Sequence, residues 1–421
     1  MTKKKEQNHS LLLSNQENKL ANIYCLHQIF FTFLLWVPIF YQAQKLIGLS
    51  DQTIFGIQGI YYFAFFLFEI PTGAISDSIG HGRTVLLASI IIFMGNIFPL
   101  LYPNDFGFLG HFLLIALARS LYSGSASALL YNFLQQFNHQ ESYKTIESKA
   151  RSWSLIAKVG LWPLAGFLCQ KDPQLPYIIT AFASLISIFW GVKLQQWVQD
   201  SSESSTVPNN VNIWKHINHS YNLIKGSPTL LLCLCQGTLL FLMQRLAFVQ
   251  FFGPYLEWNH VNITHYGTLM AIATLFEAIG ARKAPKFNKH SNLTMILICT
   301  VAASICFYFF VIPVPFIQLC ALFCFSFSCG IAFPIAKQFM NDAISRTEDR
   351  ATILSFESLI NRCIAGIATL ILAQLLHVTG IKTLFLTIGT VSLIGITVVS
   401  GMLSLRLKKD TAGSKKKIPA I

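Results

Sequence analysis

Apolar runs of about 20 residues recur along nearly the whole of this chain, separated by short polar stretches, and no other feature narrows its fold as much. A helix rises about 1.5 Å per residue, so each run matches the ~30 Å hydrocarbon core of a bilayer. A soluble chain of this size would carry roughly twice the charge. Here only 12% of the 421 residues are charged and 53% are hydrophobic. The reading is an all-α integral membrane protein.

Helix ends fall near 20–43, 52–76, 84–102, 108–136, 152–169, 176–194, 228–253, 262–281, 292–311, 316–339, 351–376 and 384–405, which gives twelve transmembrane helices. A net charge of +13 can signal nucleic acid, but its placement argues against that. With the connections assigned alternately to two sides, Lys and Arg tally 23 on one side and 3 (Lys45, Lys171, Lys382) on the other. The positive-inside rule then puts both termini in the cytoplasm, with the chain multi-pass in the membrane. The expected organisation is a cytoplasmic tail (1–19), a six-helix bundle (20–194), a cytoplasmic central loop (195–227), a second six-helix bundle (228–405) and a basic tail (406–421).

The apolar run after the basic N-terminal stretch is too long for a signal-peptide core, so the first helix is expected to remain. Within the central loop Trp214, Ile217, Tyr221 and Ile224 recur at helical spacing, which suits either an amphipathic helix on the membrane surface or an unstructured linker. The ten cysteines show no ligand spacing, and Cys320, Cys324 and Cys363 read as packing rather than metal ligands. His216, His219 and most other histidines fall in loops. The halves form a weak repeat: Phe68-Glu69 recurs as Phe276-Glu277, and Gly124 to Phe133 aligns with Gly330 to Phe339.

Between the second and third runs lies Phe-Glu-Ile-Pro-Thr-Gly-Ala-Ile-Ser-Asp-Ser-Ile-Gly-His-Gly-Arg-Thr-Val-Leu, with Gly73, Asp77, Gly80 and Arg83 in a short polar turn. Glycines there would let backbones approach, and the ends of neighbouring helices would satisfy the acid and the base. This stretch resembles the signature loop of major facilitator superfamily transporters. Arg119-Ser-Leu-Tyr-Ser-Gly124, followed by small residues and Tyr131-Asn132, is similar to the family's fourth-helix motif. Gly160-Leu-Trp-Pro163-Leu-Ala-Gly166 partly resembles its exporter motif. The resemblance implies two bundles rocking about a central site, with the loop residues stabilising one gate state.

Charges inside the runs mark candidate sites, since an intramembrane charge needs a partner or a wet cavity. Arg119 lies roughly 16 Å into the fourth helix, and Ser123, Ser127 and Tyr131 follow it at four-residue intervals, a cavity-lining stripe. Lys158 and Arg362 occupy matching depths in helices 5 and 11, suited to clamp an anion, and Arg245 lies nearer the far mouth. Lys337 reads as an interfacial anchor. Substrate contacts are thus expected from Arg119, Ser123, Ser127, Lys158, Arg245 and Arg362. Glu69, Glu277 and Glu357 are the carboxylates read as lying in the hydrocarbon zone, and with His27 they are the proton-coupling candidates. Glu69 and Glu277 could equally be interhelical ties.

The sequence shows no glycine-rich phosphate cradle, nucleophile elbow or paired catalytic carboxylates, so neither an enzyme nor an ATP-driven pump is expected. No cofactor, metal or nucleic acid is expected either. The reading is a monomeric secondary transporter, driven by the proton gradient, that exports a small organic anion such as a carboxylate siderophore. The alternatives are uptake of such a solute by proton symport, multidrug efflux, and a non-transporting membrane sensor. The last is kept open by departures from the family pattern at Ser78 and Asn132 and by the loss of the signature loop from the second half.

Overall fold

The computed structural model describes residues 18–136, 139–201, 222–287, 292–344 and 350–415, and every regular element among them is helical. Two compact units emerge, Met1–Val211 with Ile263–Gly267, and Asn212–Asn262 with Thr268–Ile421. The first holds α1 (Asn18–Ile47), α2 (Asp51–Ile79), α3 (His81–Leu101), α4 (Asp105–Gln136), α5 (Tyr143–Lys171) and α6 (Leu175–Ser201). The second holds α7 (Pro228–Arg245), α8 (Tyr266–Lys283, its first residues grouped with the first unit), α9 (Asn292–Phe310) and α10 (Pro315–Ala343). Its last run, Arg350–Lys415, is broken at Gly380 (φ 79°) into α11 (350–379) and α12 (381–415).

Among the described residues nine helices are long and apolar enough to cross a membrane, and the bent pair Asp51–Glu69 and Pro71–Ile79 makes ten. One of the nine, Ile353–Arg406, contains the break at Gly380 and so covers both α11 and α12. Helix α8 falls short because Glu277, Arg282 and Lys283 lower its apolar content. The surface helix expected around Trp214, Ile217 and Tyr221 lies outside the described residues, whereas Ile224 is buried in the second unit.

Local chemistry sets the helix ends. Ser50 Oγ accepts from Thr53 N at 3.1 Å and Asp51 opens α2, so a hydroxyl and a negative charge meet the exposed amides of its first turn. Ser227 caps α7 with Pro228 just inside, where a missing N–H costs nothing. Helix α1 breaks before Pro38, and side chains answer two of its freed backbone groups. Leu35 N donates to Thr180 Oγ1 (3.1 Å) on α6, and Leu34 O accepts from Trp162 Nε1 (3.3 Å) on α5. Beside the break, Trp36 Nε1 donates to Asn96 Oδ1 on α3 (3.0 Å), and Asn96 Nδ2 donates to Ser184 Oγ on α6 (2.9 Å). These bonds fix one arrangement of α1, α3, α5 and α6.

Two sequence expectations need correction. The polar turn between the second and third runs is only one residue long: α2 continues through Gly73 and Asp77 to Ile79, Gly80 turns the chain at φ 88°, and α3 starts at His81. The turn is held by Ser125 Oγ donating to Ser76 Oγ (2.8 Å), which sits 2.8 Å from His81 Nδ1. Second, α5 starts at Tyr143 rather than near 152, because Ile146 and Ala150 supply a buried stripe to its first turns. Glu147 therefore belongs to a membrane-spanning candidate, Thr145–Lys171, and joins the three acids expected there.

Candidate functional site

In the first unit, α4 and α5 place Arg119 and Lys158 within each other's electrostatic field. Both are half-buried. The Arg119 guanidinium donates to the phenol of Tyr61 on α2 (3.3 Å), a neutral partner that leaves its charge uncompensated. Lys158 stands at the midpoint of α5, within the fields of two further cations, Arg119 and Arg151. Among the described residues it has no ion pair. Ser123 is exposed and donates locally to Ser120 O (3.2 Å), Ser127 is half-buried, and Tyr131 is exposed with its ring against Tyr143. An ideal Cβ at Gly124 or Gly160 would meet nothing within 4 Å, so these faces of α4 and α5 are open in their own unit. The stripe read from the sequence is thus an accessible, net positive surface. Tyr61 and Arg151, which complete it, were missed.

His27 is wholly buried between α1 and α3. The Ser89 hydroxyl donates to Val85 O (3.0 Å), so in its 2.8 Å contact with His27 it must accept from Nε2. The other nitrogen, Nδ1, then bears a lone pair that is buried without a hydrogen-bond partner, under rings of Phe31 and Tyr122. A second histidine escaped the sequence reading: His111 on α4 is fully buried, its Nδ1 donating to Gly95 O (2.7 Å). Glu147, the added acid, accepts from Tyr24 Oη on α1 (2.6 Å). Glu69 is half-buried where α2 bends by 46°. Gly73, Asp77, Gly80 and Arg83 are all exposed, and an ideal Cβ at Gly73 or Gly80 would meet nothing within 4 Å. The sequence reading set the acid and base of the signature against neighbouring helix ends; within the first unit both are exposed, and Asp77 lies in the field of His81.

The second unit ties its acids. Gln244 Nε2 donates to Glu277 Oε1 (2.6 Å), joining α7 to α8, the interhelical role weighed for Glu277. Lys337, read from the sequence as an interfacial anchor, is half exposed and also ion-paired: its ammonium lies 2.8 Å from Glu357 Oε2, linking α10 to α11. Arg245 ends α7 with its guanidinium 5.8 Å over the Phe241 ring, and Arg362 is half-buried on α11. After Arg245 the helix widens into a π-turn, Leu246–Gln250, and the Gln250 amide is completely buried with neither end hydrogen-bonded. All ten cysteines are free thiols.

A family model described as Major Facilitator Superfamily matches residues 24–356. Among solved structures, a point mutant of the nucleoside transporter NupG aligns at 14% identity over 92% of this chain and 99% of its own, with a TM-score of 0.73. A POT family transporter in complex with a thioalcohol-conjugated peptide aligns at 12% identity over 91% and 95%, TM-score 0.72. A bacterial homolog of the human lysosomal transporter Spinster aligns at 14% over 93% and 96%, TM-score 0.65. Among curated proteins, none matches the chain significantly. At these identities the likeness is one of fold.

Proposed function

Because this chain belongs to the Major Facilitator Superfamily, and is therefore a multi-pass membrane transporter of the secondary kind, we propose that its cargo is a small organic anion. A polycarboxylate, including a siderophore of that chemistry, fits best. One observation carries the reading: Lys158 lies in the fields of both Arg119 and Arg151, and neither Lys158 nor Arg119 has a carboxylate for a partner among the described residues. Like charges gathered inside a membrane protein raise its energy until something negative arrives. A guanidinium beside an ammonium suits a carboxylate, the guanidinium giving two parallel donors and the ammonium a point charge. Ser123 and Ser127 would supply hydroxyls, and Arg245 and Arg362, in the second unit, are the further cargo contacts read from the sequence. The same balance of charge disfavours a cationic drug, and so multidrug efflux. NupG is a nucleoside transporter, and a neutral nucleoside would leave these cations unanswered.

Transport is by alternating access and is coupled to protons, with His27 and the carboxylates Glu69, Glu277 and Glu357 as the groups able to take one. The signature residues Gly73, Asp77, Gly80 and Arg83 would meet their partners in another gate state. The location is a bacterial inner membrane, as the resemblance of the signature loop implies, and the 23-to-3 asymmetry of Lys and Arg supports cytoplasmic termini. The sequence favoured export. The Lys337–Glu357 pair favours uptake, for the reason developed below. The test is counterflow of labelled citrate in liposomes holding the purified chain. Exchange by the wild type that is lost in Arg119→Ala and Lys158→Ala is expected. Unaltered exchange of every carboxylate tried in both variants would refute the anion reading, and no transport of any solute by the wild type would favour a sensor.

A further inference from the structure

We propose that Lys337 and Glu357 form the coupling site, at which one anionic group of the cargo and one proton bind together. The inference rests on the anion reading above. Helices α10 and α11 set Lys337 Nζ 2.8 Å from Glu357 Oε2, and the two side chains differ sharply in access. The carboxylate side chain is 11% exposed and the ammonium side chain 50%, so a second anion can approach the cation from its open side. The other carboxylate oxygen, Oε1, faces α7 at Gly237, where even an added Cβ would stand 3.4 Å away; that oxygen has room for a proton. Around Glu357, α10 presents the charged Lys337, and α7 presents the uncharged Gly237. Helix α11 itself carries Arg362 five residues on, about 140° round the helix.

Charge accounting then dictates the coupling. Empty, the pair is neutral. A carboxylate that captured Lys337 alone would leave Glu357 as an unbalanced anion, and a proton on Glu357 alone would leave Lys337 as an unbalanced cation. When both bind, Lys337 holds the cargo's carboxylate, Glu357 holds the proton, and the site is neutral again. Only the empty and the doubly loaded forms keep the membrane interior free of net charge at this site, so these are the forms suited to cross between gate states. Proton and anion thus travel in the same direction, and an inward proton gradient drives uptake. By reciprocity each ligand tightens the other's binding.

The test measures proton uptake on adding citrate to purified full-length protein in weakly buffered detergent, alongside citrate affinity as a function of pH. In the wild type about one proton is expected per citrate bound, with affinity weakening about tenfold per pH unit over the range in which that proton is taken up. Glu357→Gln is expected to bind citrate with no proton uptake at this site and a flat pH profile. Lys337→Gln is expected to lose both the proton and most of the affinity. Wild-type proton uptake persisting in Glu357→Gln, or in the neutral double variant Lys337→Met/Glu357→Gln should the single changes fail to fold, would overturn the proposal. Citrate binding by the wild type without a proton would overturn it while sparing the anion reading. Failure of the wild type to bind citrate, succinate, acetate and phosphate alike would refute both.

Discussion

Replacing Lys158 by methionine is expected to make the empty transporter more stable and its loaded state weaker. The ammonium stands at the midpoint of α5, half-buried, in the fields of Arg119 and Arg151. Insertion scales put a cation at a helix centre at ~2.5–3.5 kcal/mol. Partial access to water leaves roughly half of that, so removing the charge while keeping the stem should stabilise by about 1–2 kcal/mol. That is a factor of about 5–30 in the folded-to-unfolded ratio. The assay is thermal unfolding of the purified protein in detergent, with and without citrate. Without ligand, Lys158→Met should unfold at a higher temperature than the wild type. With citrate the order should narrow or reverse, because the wild type gains more from the ligand. A clear loss of stability without ligand would refute the reasoning, since it would show that Lys158 already has a compensating partner.

Three further outcomes follow from the geometry. At Gly166 a Cβ would overlap the Ile263 carbonyl oxygen, so Gly166→Val should force the backbones of α5 and residues 263–267 apart, costing about 1–3 kcal/mol in thermal unfolding. Ser89→Ala removes the acceptor for His27 Nε2 and should destabilise by about 1–3 kcal/mol, whereas adding His27→Phe to it should recover much of the loss. Gln250→Leu removes two buried polar atoms that make no hydrogen bond and should raise the unfolding temperature; a fall would mean that a trapped water already answers the amide.

Much of the fold was legible because bilayer thickness sets helix length, and an apolar run of that length has few other uses. Boundaries failed where a helix runs on beyond its apolar run. Tyr143 to Arg151 reads as polar loop, yet Ile146 and Ala150 bury one face of it and carry Glu147 to Tyr24. The same cause hid the helical state of Gly73 and Asp77, which look like turn residues until α2 is seen to continue past Pro71. Single charges at depth were legible, and Arg119, Lys158, Arg245 and Arg362 all lie within or at the end of helices. Their partners were not, because pairing is decided between helices. Lys337 and Glu357 are 20 residues apart on adjacent helices, and no spacing rule within one helix connects them. His111 was lost among loop histidines because its apolar neighbours look like ordinary core. The π-turn after Arg245 has no sequence signal comparable to proline or glycine.

A structure of the purified transporter determined with citrate bound bears most directly on the claim that these cations await an anion. Carboxylate density within hydrogen-bonding distance of the Arg119 guanidinium and the Lys158 ammonium is the result the account predicts. Citrate bound elsewhere, with Arg119 and Lys158 each held by fixed carbonyls or acids of the protein, would contradict it.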